Sequence, residues 1–599
     1  MREYSIPALA DIPATANLAD MVTRRAAEQP RTVALRRKGA DGTWEDVTTS
    51  QFADEVRALA KGLIAAGIAA GDRVAIMAHT SYEWTLTDYA VWTAGAVVVP
   101  IYETSSAEQV EWILSDSAAR VVIAETDAFE KMITGARDRL PELEHLWRVR
   151  PGLSDLAASG AEVSDEAVAE RTRTAKAADT ATLVYTSGTT GRPKGCQLSH
   201  ENLLADVRNA FMGPLAAITA TPGVSTLLFL PLAHVFARVI EVGALEAGIV
   251  LGHCQDVKNL VPDLASFQPT FVLAVPRVFE KVYNTAELRA AGGVQGKIFA
   301  RASRTAVAYS EALDKEGGPG VALRAEHALF DRLVYGKLRA ALGGHVRWAV
   351  SGGAALAERL GHFFRGAGVA ILEGYGLTET TAAASVNRPD RLRIGTVGLP
   401  LPGVAVRIAD DGEVLIKGKT VFSGYWRNEQ ATADSFTEDG WLRTGDLGTL
   451  DDEGFLRITG RKKEIIVTAG GKNVSPAVLE DRLRTHALIS QAMVVGDGRP
   501  YVAALITIDP EAFGPWKERN GKPAAASVAD LKDDPDLLAA IQAAVDDANG
   551  AVSRAESIRR FRVLDGDFTL EQGHLSNKLG LRRAVVAKEF AADIEALYS

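Results

Sequence analysis

From residue 73 onward the chain alternates short, uninterrupted apolar runs with longer stretches in which apolar positions recur every three or four residues. The runs at 73–77 (RVAIM), 96–100 (AVVVP) and 120–124 (RVVIA) predict strands. The stretches 81–94, with Ser81 as a cap, and 105–115 predict helices. Strands apolar on both faces and separated by helices predict a parallel sheet covered on both sides, an α/β fold. The pattern resumes at 226–230, 249–252, 270–275, 346–350 and 369–372. Residues 283–342, rich in Ala, Arg and Glu, predict a helical insertion on the surface. Residues 396–458 change to short strands and turns, which predicts a small β-rich lobe. A boundary falls near 459–463. Beyond it strands are expected at 464–467, 492–495 and 502–508, and a helical segment at 528–548. The expected organisation is a large domain of stacked mixed and parallel sheets over 1–459, followed by a smaller, mobile α+β domain over 460–599.

The length of 599 residues is too great for one compact core and agrees with several lobes. The formal charge of −10 weighs against a general nucleic-acid binder but permits a phosphate ligand held by local basic groups. The two cysteines, Cys196 and Cys254, make neither a metal-ligand spacing nor a disulfide framework, so a reducing, cytoplasmic setting is expected. The N-terminus lacks the charged and apolar regions of a signal peptide. No window reaches the roughly 18–20 apolar residues of a membrane span; 90–101 reads as a helix end followed by a strand. No amphipathic anchor stands out. Peripheral membrane contact and oligomeric state are left open.

The strongest chemical signal is 183–195, LVYTSGTTGRPKG. Glycines let a backbone approach a polyphosphate and turn its N–H groups inward. Thr186, Ser187, Thr189, Thr190 and Lys194 add donors for phosphate oxygens, beside Gly188. A Walker-A loop ends in Gly-Lys-Ser/Thr and opens a helix. Here Pro193 precedes the lysine and a strand follows at 196–198, so this is a phosphate loop of another class.

This segment resembles the adenylate-forming superfamily of acyl-CoA synthetases, luciferase and peptide-synthetase adenylation domains. The resemblance continues in order through 351–354 (SGGA), 373–380 (EGYGLTET), 439–446 (DGWLRTGD), 460–466 (GRKKEII) and 470–473 (GGKN). Within the superfamily, 230–238 (LPLAHVFAR) and 275–281 (VPRVFEK) look most like long-chain acyl-CoA synthetases. The resemblance implies ATP-dependent activation of a long-chain fatty acid to acyl-AMP, with Mg2+, and transfer to coenzyme A. The alternative is an acyl-AMP ligase serving a separate carrier protein. It further implies that Tyr375 stacks on adenine, with Gly353, Glu373, Gly374 and Gly376 around the nucleotide. Gly352 and Gly374 leave room for the acyl carbonyl. Thr378 lies near the α-phosphate and Glu379 holds Mg2+. Asp446 takes the ribose hydroxyls and Arg461 reaches ATP oxygens. Lys463 is the hinge, and Gly470 and Gly471 line the CoA tunnel. By the same resemblance His234 lines the acyl pocket. No general base is expected, because the substrate is already a carboxylate near neutral pH.

One segment departs from the pattern. The family's C-terminal loop carries a lysine that contacts carboxylate and α-phosphate. Here 575–583 reads LSNKLGLRR, and an ungapped alignment puts Gly580 at that position. Lys578 stands two residues earlier, roughly 6–7 Å along an extended chain. That is within a lysine's reach, so Lys578 is the expected replacement.

Overall fold

The computed structural model describes residues 1–186, 192–290, 293–576 and 580–599. Among these, the first large sheet runs, by position, through Gly424–Tyr425, Lys194–Ser199, Thr180–Thr186, Val97–Ile101, Arg73–Met77, Val121–Ala124 and His145–Arg148. From Thr180–Thr186 to His145–Arg148 all neighbours pair parallel, and the two strands at the other edge pair antiparallel. The helix Tyr82–Thr93 begins where expected, with Ser81 Oγ accepting the Trp84 N–H at 3.2 Å. It is buried on nearly every side, which explains why its apolar pattern runs all round rather than along one face.

A second sheet sets Phe271–Ala274, Trp348–Ser351 and Ala370–Tyr375 parallel, then adds Ser385–Val386 and Leu399–Pro400 antiparallel. A third contains Ser225–Leu228, Val250–His253, Val33–Lys38 and Trp44–Thr48. The β-rich lobe is the antiparallel sheet Glu3–Ser5, Val404–Ile408, Glu413–Gly418, Leu442–Leu450 and Leu456–Arg461. Its last strand runs through Gly460 to Arg461, opposite Leu447 and Asp446. The C-terminal part stacks Ile489–Val495, Val502–Ile508 and Ile558–Val563 against the helices Pro476–Leu483, Pro510–Arg519 and Pro535–Asn549 around a core of its own.

Three sequence expectations need correction. The insertion is not only superficial. Phe299, Ala302 and Ala306 of helix Gly293–Leu313 are buried with Phe363 and Phe364. A Cβ at Gly366 would come within 2.1 Å of the Ala306 carbonyl oxygen, so the two helices meet backbone to backbone. The segment 464–467 is a 3-10 turn, Lys462–Glu464, followed by a two-residue strand, Ile466–Val467. The segment 528–548 is two helices, Val528–Leu531 and Pro535–Asn549. Pro535 cannot continue a helix but suits a first turn, and Asp534 caps it by accepting the Asp536 N–H at 2.9 Å.

Candidate active site

The phosphate segment joins two antiparallel strands, Thr180–Thr186 and Lys194–Ser199, with Thr186 opposite Lys194. Ser187, Gly188, Thr189 and Thr190 lie outside the described residues. The far end of the segment is fixed, since Trp112 Nε1 donates to the Pro193 carbonyl at 2.8 Å. The adjoining strand Gly424–Tyr425 places Tyr425 opposite Cys196. This puts the Tyr425 ring beneath Lys194, whose Nζ is 4.3 Å from the ring centroid. The Tyr425 hydroxyl donates to Glu379 Oε1 at 2.7 Å. Lys194 and Glu379 are thus held by one aromatic side chain, the cation on its face and the carboxylate at its hydroxyl. Nothing in the sequence pattern singles out Tyr425.

Glu379 rides on a closed loop. Tyr375 pairs with Ser385 at the end of one strand, and the Ala384 N–H donates to the Tyr375 carbonyl at 2.8 Å. Inside the loop, Thr378–Thr380 form a 3-10 turn with Thr378 buried. Gly376 is required there, because a Cβ would come within 1.7 Å of the Ala382 carbonyl oxygen. The Phe422 N–H donates to the Glu379 carbonyl at 2.9 Å and ties the loop to the next segment.

Tyr375, Asp446 and Arg461 form one chain of contacts. The Tyr375 hydroxyl donates to Asp446 Oδ2 at 2.6 Å, and Arg461 Nε lies 3.4 Å from Asp446 Oδ1. Burial raises the Asp446 acid above its ordinary range, against the pull of Arg461 and the tyrosine hydroxyl. Glu373 is also buried. Its Oε1 accepts the Leu356 N–H at 3.0 Å, and desolvation pushes its acid up to about 8. Its contact in this structure is therefore with the backbone that follows Gly353.

A cleft of about 3030 Å³ runs past Glu373, Tyr375, Asp446 and Arg461; Lys194, Thr378, Glu379 and Tyr425 are not among its lining residues. Thr186, Gly353, Glu373, Gly374, Tyr375, Gly376 and Asp446 line one side. Arg461 lines it from the last strand of the β-rich lobe, and Lys463, Ser576, Gly580 and Arg582 line it from the C-terminal part. Lys578 lies outside the described residues. The Ser576 N–H donates to the Gly580 carbonyl at 2.8 Å, which brings that segment's flanks together. Arg277 and Lys281 of the 275–281 motif also reach across to the C-terminal part, Arg277 to Asp509 (3.4 Å) and Lys281 to Glu511 (2.8 Å).

Other expected site residues lie outside this cleft. His234 caps the helix Val235–Ala247, its Nδ1 accepting the Phe236 N–H at 3.0 Å. The Phe236 ring lies 3.2 Å from where a Gly352 Cβ would be, so it occupies the space Gly352 leaves. Arg238, from the same motif, is fully buried, with Nη2 bonded to both oxygens of Asp88 at 2.7 and 2.6 Å. Gly470 and Gly471 form the turn between Ile466–Val467 and Asn473–Val474, apart from the residues that line the cleft. Both cysteines are buried. Among the described residues, no helix is long and apolar enough to cross a membrane.

A profile of AMP-binding enzymes matches residues 22–426, and one of the AMP-binding enzyme C-terminal domain matches 463–599. The long-chain-fatty-acid–CoA ligase FadD15 of Mycobacterium tuberculosis is 55% identical over 603 residues, covering 100% of both chains. The human long-chain-fatty-acid–CoA ligase ACSBG1 is 31% identical, over 93% of this chain and 82% of its own. Among solved structures, the anthranilate CoA ligase AuaEII in complex with anthranoyl-AMP superposes with a TM-score of 0.73 at 20% identity, covering 97% of this chain and 99% of that one. This last likeness is one of fold.

Proposed function

The chain belongs to the family of AMP-binding enzymes, and from that premise we propose that it is a long-chain fatty acid–CoA ligase working in two steps. In the first, a carboxylate oxygen of the fatty acid attacks the α-phosphorus of ATP and pyrophosphate leaves. In the second, the CoA thiol sulfur attacks the acyl carbon of the mixed anhydride, the thiol proton is lost and AMP leaves. The observation that carries the reading is the full-length 55% identity to an enzyme named for this activity.

The geometry supports the first step. Two anions must meet, so the site has to offset their repulsion and orient them. Lys194 supplies positive charge at the end of the phosphate segment, and Arg461 supplies it beside Asp446. Tyr375 and Asp446 take the nucleoside, with Gly353, Gly374 and Gly376 leaving room for it. Among the described residues no three His, Cys, Asp or Glu side chains form a metal-holding group. A lone carboxylate such as Glu379 suits Mg2+, which takes one or two carboxylates and fills its shell from phosphate and water oxygens. Glu379 is the side chain that would hold it, and the ion, when bound with ATP, withdraws charge from the phosphate oxygens.

For the second step the domain 460–599 turns about Lys463. Gly470 has no need of being glycine in the present arrangement: a Cβ there meets only Thr468 Oγ1, at 3.9 Å, and its φ is not positive. Its lack of a side chain fits a second arrangement in which Gly470 and Gly471 border the path of the CoA thiol. The enzyme works in the cytoplasm in this reading, with transient contact at a bilayer surface, where long-chain acids partition.

The test is a series of straight-chain acids of increasing length, followed by pyrophosphate release with ATP and by thioester formation after CoA is added. The reading predicts both products, with kcat/KM highest for long chains. Pyrophosphate release without any thioester would overturn it in favour of a ligase serving a carrier protein.

A further inference from the structure

The loop that carries Thr378 and Glu379 ends in a strained turn. Thr381 and Ala382 have φ of 56° and 80°, two successive left-handed residues of which neither is glycine. Such a conformation persists only where its surroundings over-determine it, and it collects at functional sites. Part of the support is local. The Thr381 N–H donates to the Thr378 carbonyl at 3.1 Å and the Ala382 N–H to the Leu377 carbonyl at 3.0 Å. Thr381 Oγ1 donates to the Thr420 carbonyl at 2.6 Å.

A further support comes from far away in sequence. The Ala383 N–H, next after the strained pair, donates to Asp206 Oδ2 at 3.1 Å. Asp206 sits in the helix His200–Met212 with no exposed surface. Among the described residues it has no ion pair, and its Oδ1 has no hydrogen-bond partner. Burying a carboxyl this way is costly. Burial raises its acid well above the ordinary range, against the opposing pull of the Ala383 N–H. Among the described residues, no residue assigned to substrate hydrogen-bonds to the Asp206 side chain, and no base is paired with it. The side-chain hydrogen bond it makes among the described residues goes to the end of the strained turn.

We propose that Asp206 is a positioning residue for acyl-AMP formation: by accepting the Ala383 N–H it holds the Thr381–Ala382 turn in its left-handed form, and so fixes the place of Thr378 and Glu379. This rests on the function proposed above and deepens it. It predicts that asparagine, which retains an acceptor oxygen of the same reach, can replace Asp206, and that alanine cannot.

The experiment compares Asp206→Asn, Asp206→Ala and the double variant Asp206→Ala with Ala382→Gly in two assays. One is acyl-AMP formation from acid and ATP; the other is thioester formation from supplied acyl-AMP and CoA. Asp206→Asn should stay within about threefold of the parent, while Asp206→Ala should lose at least about tenfold in acyl-AMP formation and less than about threefold in the thioester step. Glycine at 382 adopts positive φ without strain, so the double variant should recover most of the lost rate. Normal acyl-AMP formation by Asp206→Ala, or equal loss in both assays, would overturn the proposal. Should Asp206→Ala fail to fold, Asp206→Ser is read by the same two assays, and an equal loss in both would again overturn it. A parent enzyme that forms no acyl-AMP but makes thioester from supplied acyl-AMP would overturn the functional reading instead, a distinct result.

Discussion

Replacing Tyr425 with phenylalanine separates two jobs that one side chain performs. The hydroxyl orients Glu379 through a 2.7 Å hydrogen bond, and the ring carries Lys194 on its face at 4.3 Å. Phenylalanine keeps the ring, its edge-on packing with Phe422 at 4.9 Å, and the cation contact. Only the bond to the carboxylate is lost. Hydrogen bonds to charged groups contribute about 1.5–3 kcal/mol. If that contribution acts through the orientation of Glu379 in the transition state, acyl-AMP formation slows by roughly 10–150-fold at one decade per 1.4 kcal/mol. Leucine at 425 removes the ring as well and should cost about a further 0.5–2 kcal/mol from the lost cation contact. The assay is single-turnover formation of acyl-AMP with saturating fatty acid and a titration of ATP, beside thioester formation from supplied acyl-AMP. The second rate should change by less than about threefold in both variants. A phenylalanine variant with parental acyl-AMP formation would refute the reasoning, since Glu379 would then need no orientation from Tyr425.

The Glu373 acid at about 8, against an ordinary 4.5, makes stability depend on pH. Between those values the folded chain keeps a proton that the unfolded chain releases, so stability falls as pH rises. From pH 6 to 8 the parent should lose about 2–3 kcal/mol more than Glu373→Gln, seen as a steeper fall of its thermal midpoint; parallel midpoints would contradict the assignment. Lys463 lies in a 3-10 turn, whose φ proline can adopt. Lys463→Pro should therefore fold, form acyl-AMP and fail in the thioester step, and equal loss of both steps would remove Lys463 as the pivot. Lys578→Ala should slow acyl-AMP formation by at least about a hundredfold if this lysine supplies the charge opposite the α-phosphate. Near-normal formation would pass that role to Arg582 or Lys194.

The alternation of strands and helices and the ordered glycine motifs were legible because each is local in sequence. Strand periodicity, helix caps and a glycine-rich hairpin are written within a dozen residues. The helical insertion misled because its buried stripe includes Ala302 and Ala306, which read as weakly apolar although their small size is what lets Gly366 approach. Pro535 after Asp534 was a readable start signal that the longer helical pattern masked. The site was legible as a set of motifs but not as a set of contacts. Tyr425 lies 46 residues from Glu379, and Asp206 lies 177 from Ala383. Such pairings follow from which strand edges and helices meet, and no local pattern encodes them. Phe236 beside Gly352 belongs to the same class, two motifs whose fit appears only when the sheets are assembled.

The central claim is that acid activation by ATP is a complete reaction of its own, preceding any contact with CoA. Exchange of labelled pyrophosphate into ATP measures this directly. The account predicts exchange that depends on a long-chain fatty acid, proceeds without CoA and is lost in Glu379→Ala. Exchange that appears only when CoA is present, or that ignores the fatty acid, would contradict it.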